Sequence, residues 1–256
     1  MTKLLASVRS ALEARQAIAG GADIVDLKEP AKGALGRLPE ATVAEILRTV
    51  AGRRPASATI GDMELSPRPV LDAVRHMAAM GVDIVKFGVF DGDVPGTLAA
   101  LAAAAGSGVR LVAVLFADRT PDFDLIDRCA DAGLYGIMLD TADKKSGRLT
   151  AHLSPALLAR FVRRGRDRGL LTGLAGSLSP QDVPDLLTLS PDYLGFRSAL
   201  AAGGRTGALD PAAVARVRGL LDAGSNSNAT AAAGAQSAAR AATVPSAAAT
   251  TVSNPR

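Results

Sequence analysis

The chain has 256 residues, 48% of them hydrophobic and 21% charged, which is the composition of a globular protein and excludes wholesale disorder and fibrous repeats. Its formal net charge is +4, but the basic residues are scattered, and the one dense basic run, 160–168, is typical of the solvated side of a helix. Because nucleic-acid binding needs basic residues gathered on one face, we expect no nucleic-acid partner.

A short β-branched apolar run followed by an Ala- and Leu-rich helical stretch recurs along the segment 1–223. This alternation is the βα pattern. It predicts eight strands, at Lys3–Val8, Asp23–Lys28, Ala56–Gly61, Asp83–Val89, Arg110–Ala117, Gly136–Asp140, Leu170–Ala175 and Asp192–Arg197.

Helix boundaries are marked between these strands. Glycine, which can take the left-handed conformation that stops a helix, closes three helical stretches, at Gly20-Gly21, Gly81 and Gly133. A capping residue followed by proline opens four others, at Ser66-Pro67, Ser154-Pro155, Ser179-Pro180 and Asp210-Pro211.

Eight such units in the segment 1–223 predict a single catalytic domain with the (β/α)8 barrel fold. The alternative is a doubly wound open sheet. No Gly-x-Gly-x-x-Gly follows the first strand and no P-loop motif occurs, so the nucleotide fingerprints of that alternative are missing.

The segment 224–256 differs in composition from the rest of the chain. It is rich in Ala, Ser, Thr and Asn, with only Val244 and Val252 as larger apolar residues, and we expect a disordered tail. No charge-free apolar run reaches the roughly 18 residues of a membrane span. The segment before Arg9 is too short for a secretory signal, so we expect a cytoplasmic protein without a membrane partner. Homo-oligomerisation stays open.

Several charged side chains fall on predicted strands. Strand side chains alternate between faces, so Asp26 and Lys28 share the face opposite Val25 and Leu27 and point into the barrel. The same alternation turns inward three further charges, Lys86, Asp140 and Arg197. A core built only for stability would carry Val, Ile or Leu at these positions, because burying unpaired charge costs several kcal/mol per ion.

This cluster has two interpretations. A neighbouring positive charge and burial both favour the neutral amine of a lysine, so Lys28 or Lys86 could form a Schiff base, with Asp26 or Asp140 moving protons. The alternative is a structural ion-pair network across the barrel mouth. Both interpretations depend on the strand register, since a slip of one residue turns each side chain outward.

Two turns predict a phosphate site. Barrels often bind phosphate between the loops that follow strands 7 and 8, using backbone N–H groups. Leu174-Ala-Gly-Ser177 and Leu194-Gly-Phe-Arg-Ser198 occupy these places, and we expect contacts from Gly176, Ser177, Gly195, Arg197 and Ser198. Arg197 would add a bidentate guanidinium.

Other chemistry finds no support in the sequence. Cys129 is the only cysteine and no His-x-His or His-Glu-x-x-His pair occurs, so a zinc-dependent aldolase would lack its ligands. No Gly-x-Ser-x-Gly motif supports serine hydrolysis. We expect neither a metal nor an organic cofactor.

Together, an ordered set of motifs covering residues 3–220 resembles the (5-formylfuran-3-yl)methyl phosphate synthase family. The motifs are Ala19-Gly-Gly-Ala-Asp-Ile-Val-Asp-Leu-Lys-Glu-Pro30, Gly33-Ala-Leu-Gly36, Ser57-Ala-Thr-Ile-Gly-Asp62, Asp83-Ile-Val-Lys-Phe-Gly88, Met138-Leu-Asp-Thr-Ala142 with Lys144, Leu174-Ala-Gly-Ser177, and Gly195-Phe-Arg-Ser198 with Gly203-Gly-Arg205.

The resemblance implies a lyase of methanofuran-type one-carbon carrier biosynthesis, which condenses two molecules of glyceraldehyde 3-phosphate, a triose phosphate, with release of phosphate and water. It implies that Lys28 forms the Schiff base and that Lys86 is the proton acceptor and donor. Asp26, Asp140 and Lys144 match supporting positions of the family, although Lys145 could take the place of Lys144. The alternatives are a class I aldolase or phosphosugar isomerase, and a non-enzymatic sugar-phosphate sensor.

Overall fold

The computed structural model describes residues 1–143 and 145–224. Eight strands form a closed parallel barrel in which each pairs with its neighbours in the chain and the first pairs with the last, which confirms the predicted fold. The strands are β1 (Lys3–Val8), β2 (Ile24–Leu27), β3 (Ala56–Thr59), β4 (Ile84–Gly88), β5 (Arg110–Phe116), β6 (Gly136–Asp140), β7 (Leu171–Leu174) and β8 (Tyr193–Phe196).

Helices surround the barrel in the described part of the chain. They are α1 (Ala11–Ala19), α2 (Glu40–Val50), α3 (Pro67–Ala79), α4 (Val94–Gly106), α5 (Leu125–Asp131), α6 (Leu149–His152), α7 (Pro155–Asp167), α8 (Val183–Thr188) and α9 (211–224). The single turn of α6 was not predicted, because four residues are too few to show a helical period.

Helices begin and end where the sequence predicts. The Ser154 hydroxyl caps α7 by accepting from the Leu157 N–H at 3.4 Å, whereas Ser66 precedes α3 without a side-chain cap. The glycines that follow α1, α3 and α5 have positive φ angles, of 90° at Gly21, 90° at Gly81 and 72° at Gly133. The predicted tail begins one residue too early, since Gly224 is still helical, and 225–256 lie outside the described residues.

Two apolar layers form the core. The larger lies between the strands and the helices, and includes Val25 and Leu27 of β2. The smaller lies inside the barrel and includes Ile24, Ile84 and Met138. Each of these three residues precedes a charged residue of its strand by two positions, so the charged side chains lie one layer nearer the carboxyl ends of the strands.

The loop after β2 folds over the carboxyl end of the barrel. The Asp62 carboxylate, which follows β3, accepts from the N–H groups of Ala34 at 2.8 Å and Leu35 at 2.6 Å. A Cβ on Gly36 would lie 2.2 Å from the carbonyl oxygen of Glu29, so only glycine fits there. The closed loop places Ala34 and Leu35 against the inner apolar layer. Within residues 1–143 and 145–224, no helix has the length and apolar character needed to cross a membrane.

Candidate active site

A cavity that opens to solvent lies at the carboxyl end of the barrel. Barrel enzymes place their active sites at this end. Its walls come from strands and loops distributed around the barrel, and the charged residues that line it are Asp26, Lys28, Lys86, Asp140, Arg197 and Arg205. The five inward charges predicted from the sequence therefore all reach one cavity.

Asp26 and Lys86 form the deeper of two ion pairs. The Lys86 Nζ lies 2.7 Å from the Asp26 Oδ1, and the two side chains are 2% and 1% exposed. Two hydroxyls flank the carboxylate, from Ser7 on β1 at 2.9 Å and from Ser57 on β3 at 2.6 Å. Because its partners come from three different strands, the orientation of the Asp26 carboxylate is fixed by the barrel itself.

Lys28 and Asp140 form the second pair. The Lys28 Nζ donates to the Asp140 Oδ2 at 3.3 Å, and the other carboxylate oxygen accepts from the Thr141 N–H at 2.8 Å. This contact is longer than the 2.7 Å of the first pair, and Lys28 is more exposed than Lys86. The Lys28 amine is thus the less tightly bound of the two.

Burial and the neighbouring charges set the protonation of the deeper pair. Burial raises the pKa of Asp26, but the Lys86 and Lys28 ammonium groups outweigh it, and the pKa lies below its ordinary value of 3.8. Burial, together with the Lys28 charge, lowers the pKa of Lys86 below 10.5, despite the opposing effect of Asp26 and Asp140. Lys86 therefore releases its proton more readily than an exposed lysine.

The two predicted phosphate loops line the same cavity. Gly176 has a φ of 109° and Ser177 a φ of 50°, so the chain turns sharply after β7. Among the described residues, none accepts a hydrogen bond from the N–H groups of Gly176, Ser177 and Ser198, here called the backbone N–H site. Unpaired N–H groups of residues that line a cavity are suited to an anion.

Arg197 differs from the prediction. Its guanidinium is 8% exposed, and all five of its N–H groups already meet protein acceptors. They donate to both carboxylate oxygens of Glu13 and to the carbonyl oxygens of Ser7, Arg205 and Gly207. Arg197 lines the cavity but has no N–H left for a phosphate in this arrangement, so its predicted bidentate phosphate contact is not supported.

Several polar residues around the site were not predicted as site residues, among them Ser7, Ser57, Glu13 and Arg205. Ser7 contacts Asp26, Glu13 contacts Arg197, and Arg205 lines the cavity. Ser7 lies on the inward face of β1 opposite Asp26 in the parallel register, which is a signal that strand pairing could have supplied. Glu13 and Arg205 lie on a helix and a loop, where strand alternation gives no signal.

The remaining predicted residues fall outside the cavity or outside the described chain. Lys144 is not among the described residues, and Lys145 is exposed, with its backbone N–H donating to Asp143 at 2.8 Å. Cys129 is buried on α5, where burial raises the pKa of its thiol to about 12. Within the described part of the chain, His, Cys, Asp and Glu side chains form no group of three that could hold a metal ion.

Comparison with known proteins identifies relatives over most of the chain. The family model described as 4-HFC-P synthase matches residues 4–218. The (5-formylfuran-3-yl)methyl phosphate synthase of Archaeoglobus fulgidus is 34% identical over 224 residues, which cover 80% of this chain and 92% of that protein. The enzyme of the same name from Methanopyrus kandleri is 35% identical over 214 residues, covering 79% and 90%. A protein of Methylorubrum extorquens, provisionally given that name, is 42% identical over 228 residues, covering 89% and 94%.

Solved structures share the fold at low identity. Phosphoribosyl anthranilate isomerase from Thermus thermophilus superimposes with a TM-score of 0.63 at 15% identity, covering 87% of this chain and 99% of its own. A 3-hexulose-6-phosphate synthase gives a TM-score of 0.60 at 16% identity, covering 86% and 100%. These likenesses support the barrel and carry no information on the reaction.

Proposed function

The chain belongs to the 4-HFC-P synthase family, and we propose that it condenses two molecules of glyceraldehyde 3-phosphate into (5-formylfuran-3-yl)methyl phosphate. One inorganic phosphate and two waters balance the reaction. The resemblance implies that the reaction belongs to the biosynthesis of a methanofuran-type carrier, and we propose that it takes place in the cytoplasm.

The observation that carries the proposal is the presence of two amine–carboxylate pairs in one cavity beside unpaired backbone N–H groups. A Schiff-base condensation needs an amine that attacks a carbonyl, a second group that moves protons, and a site for the phosphate of the substrate. A purely structural network would not require a cavity beside it, nor N–H groups left without acceptors.

Lys28 is the better candidate for the nucleophile. Its amine is the more exposed of the two and its contact with Asp140 is the longer. In the proposed reaction the Lys28 nitrogen adds to the aldehyde carbon of one triose phosphate, and water leaves as the imine forms. Asp140 lies within reach of the amine and can accept or return the proton of that step.

Lys86 suits the proton transfer that follows. Its lowered pKa favours an amine that can take a proton from the carbon next to the imine, which produces an enamine. The enamine carbon then attacks the aldehyde of the second triose phosphate, and a carbon–carbon bond forms. Loss of phosphate, ring closure and loss of water give the furan, and hydrolysis of the imine returns Lys28.

The test combines product analysis with trapping. We expect wild-type protein incubated with glyceraldehyde 3-phosphate to develop a furan absorbance and release inorganic phosphate, and borohydride to fix an adduct on the Lys28 peptide. Lys28→Arg keeps the charge but removes the nucleophilic amine, and we expect it to abolish both signals. Lys3→Arg, at an exposed position on β1, is the matched control and retains both.

Each alternative gives a distinct result. A hexose bisphosphate product indicates a class I aldolase, and dihydroxyacetone phosphate alone indicates an isomerase. Binding without turnover or adduct indicates a sugar-phosphate sensor. An adduct that persists in Lys28→Arg and maps to Lys86 would reassign the nucleophile.

A further inference from the structure

Two arginines follow β8, and their guanidinium groups differ in how many N–H groups are occupied. The five N–H groups of Arg197 all meet protein acceptors. Arg205 is half-buried and lines the cavity, and its guanidinium donates one hydrogen bond, from Nη2 to the carbonyl oxygen of Gly33. Among the described residues, its other N–H groups meet no acceptor.

The Arg205 backbone is held in place by its neighbours. The Arg197 Nε donates to the Arg205 carbonyl oxygen at 2.9 Å, and the Arg197 Nη2 donates to that of Gly207 at 2.7 Å. Gly203 and Gly204 precede it with φ angles of 72° and 90°, a conformation that L side chains rarely adopt. A buried ion pair thus fixes the loop from which the Arg205 side chain extends, and Arg197 acts as a positioning residue.

Arg205 lines the cavity and extends towards the loop after β2. Its hydrogen-bond acceptor, Gly33, lies beside Asp62, since a Cβ on Gly33 would meet the Asp62 carboxylate. The backbone N–H site lies elsewhere, on the loops after β7 and β8, where Gly176 lies against Thr141 and Leu149. The cavity therefore has two kinds of anion-binding donor, a guanidinium directed towards Gly33 and backbone N–H groups that include that of Gly176, beside Thr141.

The reaction requires two phosphate groups to be bound at once, because both substrates are triose phosphates. We propose that Arg205 binds the phosphoryl group of the second triose phosphate, the one that does not react with Lys28, while the backbone N–H site binds the phosphoryl group of the first. Burial lowers the pKa of Arg205 despite the nearby Asp140 and Asp62 carboxylates, and a phosphate dianion beside it would stabilise the charge. This inference rests on the proposed function for the identity of the ligand.

The first experiment measures binding and is independent of turnover. Equilibrium binding of inorganic phosphate is compared for wild type, Arg205→Ala and Arg75→Ala, the last a matched control at an exposed position on α3. We expect two bound phosphates in wild type and Arg75→Ala, and one in Arg205→Ala. Loss of both phosphates, or of neither, in Arg205→Ala would overturn the assignment.

The second experiment separates the two substrates kinetically. Removal of a charged hydrogen-bond donor is expected to raise the KM for furan formation roughly 10-fold to 100-fold. Borohydride trapping at Lys28, which needs only the first triose phosphate, should keep its wild-type concentration dependence. Arg205→Lys retains the charge but lacks the planar guanidinium group, so its KM for furan formation should lie between those of wild type and Arg205→Ala. Added guanidinium ion should partly restore the KM of Arg205→Ala.

The outcomes distinguish the inference from the proposed function. Trapping that weakens as much as furan formation assigns Arg205 to the first substrate and contradicts the proposal. Wild-type protein that makes no furan, while Arg205→Ala still loses one of two phosphates, overturns the function but leaves the second anion site in place. An Arg205→Ala thermal midpoint equal to that of wild type excludes misfolding of the variant. If Arg205→Ala is unstable, Arg205→Lys is compared with wild type instead.

Discussion

Asp26 and Lys86 show how a charged pair is accommodated inside a barrel. Each carboxylate oxygen of Asp26 accepts a serine hydroxyl, and Oδ1 also contacts the ammonium group, so the cost of burying the two charges is offset by contacts from neighbouring strands. The same enclosure lowers the pKa of Lys86. A group suited to proton transfer therefore results from burial and a fixed charge partner.

Removing the carboxylate should be costly for stability. Asp26→Asn leaves a buried ammonium group without its counter-ion, and breaking a buried pair in this way typically costs about 3–5 kcal/mol. Denaturant unfolding at neutral pH measures the loss, and furan formation should fall with it. Asp72→Asn, which removes an exposed pair with Arg68, is the control and should cost under about 1 kcal/mol. Equal losses in the two variants would contradict the interpretation.

At the scale of elements, the end of β8 is joined to the start of the barrel. Arg197 contacts the Ser7 carbonyl oxygen at the end of β1 and the Glu13 carboxylate on α1. Because β1 and β8 are also paired in the sheet, this buried ion pair stabilises the contact that closes the barrel. It also determines where the loop carrying Arg205 begins.

We therefore expect Arg197→Ala to act mainly on stability. Glu13 would be left buried without its guanidinium partner, and the free energy of unfolding should fall by about 3–5 kcal/mol. The control is Arg216→Ala, since its pair with Asp210 has an arginine that is 67% exposed, and little change is expected. A variant of wild-type stability with weakened phosphate binding would instead return Arg197 to the phosphate site.

The elements near the site differ in how well a sequence can predict them. Strand alternation places Asp26, Lys86 and Asp140 inside the barrel, because a period of two relates each to an apolar residue of known direction. The occupation of all five Arg197 guanidinium N–H groups by protein acceptors could not be predicted. It depends on Glu13, a residue 184 positions away on a helix, and on backbone carbonyl oxygens, which any residue carries. Likewise, the sequence does not predict that Arg205 keeps guanidinium N–H groups for a ligand, because this depends on a glycine turn in a loop without periodicity.

At the scale of the whole molecule, several carboxylates share one electrostatic property. Glu13, Asp26, Asp118 and Asp182 lie in different parts of the fold, and burial of each is outweighed by hydrogen bonds and nearby positive charge, so that their pKa values lie below the ordinary 4.5 for glutamate and 3.8 for aspartate. Each binds its proton less readily in the folded chain than in the unfolded chain.

The sign of the resulting pH dependence follows from linkage. The unfolded chain takes up more protons as the pH falls through these ordinary values, so the stability that the four carboxylates provide is present above them and is lost towards acid. Urea unfolding midpoints measured from neutral to acid pH should decline steadily below about pH 4.5. Glu13→Gln should be less stable at neutral pH and show a shallower decline, and an unchanged slope would contradict the assignment.

The pairing of β1 with β8 has a consequence for synthesis on the ribosome. The strand β1 has its second neighbour only when the segment around Tyr193 has been translated, because Lys3 is in register with that residue. Until then the sheet cannot close, and an open sheet has two edges with unpaired backbone groups. The enclosure that lowers the pKa of Lys86 is therefore complete only after the β8 segment has been translated.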